Sequence, residues 1–249
     1  MEITTSRTII FLALYIPHVN KLHEQVSIPY LSQASKKPWM LEGEILIRKP
    51  EKDRLVIICH PHPEFGGTMH NNVVTSLFKG LSSEYATARF NFAGVGNSTG
   101  MYEGGIGEVE QVRNIIHYFS TDFPKEHDFN EWEEIHIIGY SFGAATGAPA
   151  AISMNQVSSF TGIALPFELF PQLSDEAVHL QATKLKEIFL LLGDRDDFTT
   201  LQQFNRWKKK FRGPVESHVI SNANHFFHGM ESLLLSSIRQ FLKNIKSKH

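Results

Sequence analysis

The chain has 249 residues, 42% of them hydrophobic and 20% charged, with a formal net charge of −2. That length suits one large α/β domain or two small ones, and it buries roughly three quarters of the unfolded surface, so no metal or disulfide staple is needed for folding. The near-neutral charge excludes a strong field for nucleic acid or an anionic membrane, and the single cysteine, Cys59, excludes an intrachain disulfide and fits a reducing compartment.

Residues 1–24 read as an N-terminal extension of uncertain structure. Within it, Thr8 to Ile16 is apolar and follows Arg7. The run is too short to span a bilayer as a helix, and no small-x-small cleavage site follows it. The expectation is a cytoplasmic protein without stable membrane insertion. Residues 25–249 read as one domain, since no repeat, low-complexity tract or flexible linker divides them.

The first strand signal is Leu41 to Arg48, which alternates apolar and polar residues like a half-buried antiparallel strand. Leu55 to Cys59 is a continuous apolar run, as in a strand covered on both faces. Ala86 to Phe92, Ile135 to Ile138, Gly162 to Leu165, Ile188 to Leu192 and Val215 to Ile220 follow. Helical patterns lie between them at Asn72 to Ser83, Gly107 to Phe119, Phe198 to Phe211 and Met230 to Ile245. The basic cluster of Arg206, Lys208, Lys209, Lys210 and Arg212 reads as a solvated helix face. Alternating strands and helices predict a doubly wound, mostly parallel sheet with helices on both faces. Only Pro166 to Glu187 is free to form a cap, which leaves room for one short helix.

Gly139-Tyr140-Ser141-Phe142-Gly143 directly follows a predicted strand and precedes small residues that can begin a helix. A sharp turn there strains the serine backbone and exposes its Oγ, with glycines where side chains would collide. Ser141 is therefore the candidate nucleophile. Pro149 falls early in the following helix and is expected to kink or end it. A serine hydroxyl needs a base and an orienting carboxylate, and in such a fold they follow in the order Ser, Asp or Glu, His. Of 13 histidines, His225 comes first in the loop after the last strand, with His228 as its competitor. The acid belongs after Ile188 to Leu192, where Asp194, Asp196 and Asp197 all stand.

The loop His60-Pro61-His62-Pro63 follows the strand ending at Cys59. It occupies the place of the second oxyanion donor, and between the two prolines only His62 has an N–H. The first donor is the amide of Phe142. The paired histidines do not complete the binuclear metal pattern H-x-H-x-D-H, because Glu64 and Phe65 stand where Asp and His belong. No metal and no cofactor are expected.

These motifs, with Gly66-Gly67-Thr68-Met69, Asn72-Val73-Val74, Arg89-Phe90-Asn91-Phe92 leading to Gly94-Val95-Gly96, and Asn224-His225-Phe226-Phe227-His228-Gly229, give a resemblance. The chain resembles small, mostly bacterial α/β-hydrolases similar to dienelactone hydrolases and described broadly as esterases. The resemblance spans about residues 25 to 240 and implies the α/β-hydrolase fold with little or no cap domain. It places the acid at the last residue of a G-x-x-D pattern, Gly193 to Asp196, and the base at His225. Two departures stand out: Ala93 replaces a frequent arginine, and the nucleophile is serine where dienelactone hydrolases use cysteine. The implied activity is hydrolysis of a small-molecule carboxylic ester through an acyl-enzyme, by a monomer or homodimer. The alternatives are a peptidase or thioesterase of the same fold and a catalytically silent binding protein. Phe65, Phe167, Phe170, Phe226 and Phe227 are candidates to line an apolar cleft suited to short acyl or aromatic esters.

Overall fold

The structure is a computed structural model and describes residues 22–48, 54–183, 186–211 and 215–245. Residues 1–21 of the expected extension, including Thr8 to Ile16, and Arg212 of the basic cluster lie outside the described residues. The strands are β1 (Leu22–Leu31), β2 (Pro38–Ile47), β3 (Arg54–Cys59), β4 (Ala86–Phe90), β5 (Glu134–Tyr140), β6 (Ser159–Ile163), β7 (Glu187–Arg195) and β8 (Val215–Asn224). The helices are α1 (Asn72–Leu81), α2 (Ile106–His117), α3 (Phe123–Glu126), α4 (Phe142–Ser153), α5 (Pro171–Thr183), α6 (Leu201–Lys208) and α7 (Glu231–Asn244).

The strands form one sheet in the order β1-β2-β4-β3-β5-β6-β7-β8. β2 pairs antiparallel with β1 and β4, and every other pairing is parallel. Side chains along β3 alternate between two cores, as a two-residue period requires. Leu55, Ile57 and Cys59 pack beneath α2, α4, α5 and α6, while Val56 and Ile58 pack with α1 and α7. Continuous apolar runs thus mark strands covered on both faces, the expected doubly wound architecture. Among the described residues, no helix is long and apolar enough to cross a membrane.

Several boundaries differ from the sequence expectation for local reasons. β1 has no counterpart among the expected strands, although Val26, Ile28 and Tyr30 alternate inward along it. Its polar start and Pro29 disguise the pattern, and proline is tolerated because β1 is an edge strand. β4 ends at Phe90 because Asn91 turns aside: its Oδ1 accepts from the Met69 amide at 2.8 Å and its Nδ2 donates to Glu42 at 2.7 Å. β6 ends at Ile163 because Ala164 takes φ +48°. α4 does not end at Pro149 but runs through it for about one more turn, to Ser153. Phe142 to Ile152 are all buried, so packing outweighs the one helix bond that proline removes.

A buried ion pair fastens the antiparallel corner to the parallel sheet. Arg89 on β4 donates through Nε to Glu44 of β2 at 2.7 Å and through Nη1 to the Met69 carbonyl at 2.8 Å and Thr75 at 3.0 Å. Its guanidinium lies 4.3 Å from the Phe78 ring centre, and His23 also bonds to Glu44. Burial works to raise the Glu44 pKa, but the hydrogen bonds from His23 and Arg89 outweigh it and leave the carboxyl below its ordinary range. Its contribution to stability is therefore present above the unfolded carboxylate pKa and lost as pH falls below it. Arg89→Met leaves Glu44 without its main partner and is expected to cost about 3 kcal/mol, read as a lower midpoint in urea unfolding at neutral pH.

Candidate active site

The doubly wound connection reverses between β3 and β5. The chain leaves β3 for α1 on one face and leaves β5 for α4 on the other. Such a reversal opens a crevice at the carboxyl ends of the two strands. The His60–Met69 loop and residues 139–143 both lie there.

Ser141 sits at the turn from β5 into α4 with φ +56° and ψ −119°, a costly backbone conformation for a residue with a side chain. Its amide donates to Ile163 at 2.9 Å, and its carbonyl accepts from Ala144 at 2.8 Å and Ala145 at 3.1 Å. Strand, turn and helix come so close that flanking side chains are impossible. A Cβ on Gly139 would stand 2.3 Å from the Gly143 carbonyl oxygen, and one on Gly143 would stand 2.4 Å from that of Cys59.

His225 follows β8, and its Nε2 lies 2.9 Å from Ser141 Oγ. Its Nδ1 lies 2.8 Å from Asp196 Oδ2. Asp196 follows β7, and its other oxygen accepts from the amides of Phe198 at 2.8 Å and Thr199 at 2.9 Å. The Asp196 side chain is fully buried and that of His225 nearly so. The neighbouring acids lie elsewhere: Asp194 is exposed and accepts from the Asn222 amide at 2.7 Å, and Asp197 is exposed. His228 is exposed and stacks on Phe226 at 5.7 Å. The structure thus brings Ser141, His225 and Asp196 into one hydrogen-bonded chain and leaves Asp194, Asp197 and His228 outside it.

Three supporting residues carried no role in the sequence reading. Tyr140, inside the pentapeptide, donates its hydroxyl to the His225 carbonyl at 2.9 Å and so ties the β8 loop to β5. Thr199 donates to the Leu165 carbonyl at 3.1 Å, holding the β7 loop against β6. Phe198 packs its ring 4.5 Å from that of His225. Only Tyr140 had a sequence signal, its place beside Ser141. The other two depend on contacts between distant segments.

His60 is fully buried. Its Nε2 accepts from the Phe92 amide at 3.0 Å, and its Nδ1 lies 2.6 Å from the Pro61 carbonyl. Burial pushes its pKa down to about 3, so the ring stays neutral and braces the loop against the end of β4. His62 lies on the same loop, and its amide has no acceptor among the described residues. Phe142 is the first residue of α4, so its N–H has no acceptor within the helix. These are the two amides expected to hold an oxyanion.

Among the aromatic cleft candidates, Phe65 is exposed and Phe170 and Phe226 are at least partly exposed. Phe167 and Phe227 are core residues instead. Phe167 packs against Trp207 and Phe211, and Phe227 against Tyr140. The predicted cap segment forms α5, which packs on α4 through Leu173 and Ala177. It belongs to the helical layer, so among the described residues this segment forms no separate domain above Ser141. Ala93, where the resemblance leads one to expect arginine, is buried, and its amide donates to Gln111 at 2.9 Å.

No family model matches the chain. An α/β serine hydrolase homologue from Coxiella burnetii is 30% identical, with a TM-score of 0.67, over 89% of this chain and 97% of the other. The chain belongs to the α/β-hydrolase family. A lidless α/β serine hydrolase from Xanthomonas campestris is 22% identical, with a TM-score of 0.71, over 88% of this α/β-hydrolase and 94% of the other, a likeness that bears on the fold alone. An uncharacterised protein of Rickettsia prowazekii is 24% identical over 84% of this α/β-hydrolase and 87% of its own length. In this α/β-hydrolase, Gly143→Ala forces a Cβ against the end of β3 and is expected to cost about 2 kcal/mol. Thermal unfolding would show it as a midpoint lowered by roughly 4–8 °C.

Proposed function

We propose that this α/β-hydrolase is a serine hydrolase that cleaves carboxylic ester bonds of small substrates through an acyl-enzyme. The reading rests on one observation: the His225 imidazole stands within hydrogen-bond distance of both Ser141 Oγ and Asp196. In this mechanism His225 Nε2 takes the Ser141 proton as Oγ attacks the ester carbonyl carbon. Asp196 accepts from Nδ1–H, fixes the tautomer and stabilises the imidazolium. The amides of His62 and Phe142 donate to the oxyanion, with the positive end of α4 adding to the field. Collapse of the tetrahedral intermediate expels the alcohol, which takes the proton from His225. Water, deprotonated by His225, then attacks the acyl carbon, and Ser141 Oγ leaves with the proton restored. A rigid frame suits this chemistry, because donors held in place need no reorganisation as charge develops.

A fluorophosphonate probe is expected to label Ser141 in the folded protein, and Ser141→Ala to abolish labelling. Absence of labelling on the wild-type chain would count against a reactive serine. With p-nitrophenyl esters, Ser141→Ala and His225→Ala are each expected to lower kcat on the order of 10⁴-fold or more. Turnover of thioesters or peptides with no ester cleaved would move the reading to a thioesterase or peptidase.

Asn substitutions at the three acids separate them. Asp196→Asn is expected to lower kcat by about 10³–10⁴-fold, since an amide in its place favours the wrong His225 tautomer. Asp194→Asn and Asp197→Asn are expected to stay within a few-fold of wild type. A collapse at either neighbour with Asp196→Asn intact would move the acid.

A further inference from the structure

The two amides assigned to the oxyanion belong to residues whose side chains meet. The His62 ring lies 4.6 Å from the Phe142 ring, 4.7 Å from Phe65, 4.9 Å from Tyr102 and 6.1 Å from Phe170. Phe142 in turn contacts Tyr102 at 5.8 Å and Phe170 at 5.3 Å. The rings come from four separate segments: the loop after β3, the loop before α2, the start of α4 and the loop before α5. Their burial is graded. Phe142 is buried at the base, His62, Tyr102 and Phe170 are half-buried, and Phe65 is 85% exposed. An exposed phenylalanine at the lip of a cluster of half-buried rings leaves aromatic surface unfilled by the protein itself.

A second group of rings, Phe198 and Phe226, flanks His225. In the proposed reaction the alcohol must receive its proton from His225, so the leaving group lies on that side. On this reading the acyl group extends from the carbonyl carbon away from His225, and the ring of Phe142, next to Ser141, ties the His62 cluster to the nucleophile. The cluster also offers two polar handles. His62 Nδ1 accepts from the Glu64 amide at 3.2 Å, which places the ring proton on Nε2. Neither that Nε2–H nor the Tyr102 hydroxyl has a hydrogen-bond partner among the described residues. Burial lowers the His62 pKa, so the ring is a neutral, flat surface with one donor at its edge.

We propose that His62, with Tyr102 and Phe170, forms the acyl pocket and selects esters whose acyl group is an aromatic ring. Planar groups gain offset and edge-to-face contacts with such rings that a flexible alkyl chain of similar size does not. His62 then has two roles from one residue: its amide faces the oxyanion and its imidazole reads the acyl group. The inference rests on the serine-hydrolase reading, because it takes the direction of the acyl group from Ser141 and His225.

The test compares p-nitrophenyl benzoate with p-nitrophenyl butyrate, which share a leaving group, by their ratio of kcat/KM. Wild type is expected to prefer the benzoate. His62→Leu keeps a backbone amide but removes the flat ring, and Phe170→Ala removes a second wall at a position outside the oxyanion loop, which it meets through the His62 ring. Each is expected to lower the benzoate-to-butyrate ratio on the order of tenfold. Fluorophosphonate labelling of Ser141 in each variant shows that the nucleophile is still assembled, and Phe170→Ala carries the test if His62→Leu does not fold. A ratio unchanged in a labelled variant, or a wild type that labels but prefers butyrate, overturns the aromatic pocket and leaves the serine-hydrolase reading standing. A wild type that does not label overturns both.

Discussion

Three backbone segments converge at residues 139–143 with no space for a side chain between them. The end of β3, the end of β5 and the first turn of α4 touch at Gly139 and Gly143, where an added Cβ would sit within 2.5 Å of a carbonyl oxygen. That contact forces Ser141 into a left-handed conformation and lifts its hydroxyl into the crevice. The strain at one serine is sustained by the buried packing of a whole helix, Phe142 to Ile152, against the sheet. Everything else in the site is arranged around where that hydroxyl points.

The remaining parts arrive from strand ends on either side of β5. On one side stands the β3 loop, stiffened by Pro61 and Pro63 and braced by the buried neutral ring of His60. On the other stand the loops after β7 and β8, joined through Asp196 and His225 and moored by Tyr140 and Thr199. Each mooring is a hydrogen bond from a buried side chain to a backbone carbonyl of a different loop. Breaking one leaves a buried acceptor unpaired, so the loops hold a single arrangement. Such fixed geometry is what electrostatic stabilisation of a developing oxyanion requires.

Away from the crevice, the Arg89–Glu44 pair shows how the same loop is held from behind. Arg89 joins β2, β4 and α1 and also donates to the Met69 carbonyl at the end of the His60–Met69 loop. Asn91 takes the Met69 amide, and Glu42 gathers Asn91 and Asn97. The motif Arg89-Phe90-Asn91-Phe92, which the sequence offered only as part of a resemblance, is thus a scaffold for the loop carrying His62. Its polar residues, Arg89 and Asn91, are buried with hydrogen-bond partners both on side chains, Glu44, Thr75 and Glu42, and on the backbone of Met69.

Much of this was legible in one dimension. Apolar runs such as Leu55 to Cys59 and Ile188 to Leu192 revealed buried parallel strands, because covering on both faces demands continuous hydrophobicity. The glycines around Ser141 revealed the turn, because only steric exclusion of side chains explains both at that spacing. Local signals failed where long-range contacts decide. β1 hid behind Pro29, α4 ran through Pro149 because burial outweighed one lost bond, and Phe167 and Phe227 turned out to be core although their positions beside the site had marked them for the cleft. Three aspartates within four residues are equivalent to any reading of composition or spacing. Which of them meets His225 depends on where β7 ends against β8, 29 residues later in the chain. Hydrophobic patterning and steric exclusion act between neighbours in sequence, so the sequence determined the layered architecture and the turn at Ser141. The partner of His225, the mooring of the loops and the ring cluster around His62 are contacts between distant segments, and only the tertiary structure decided them.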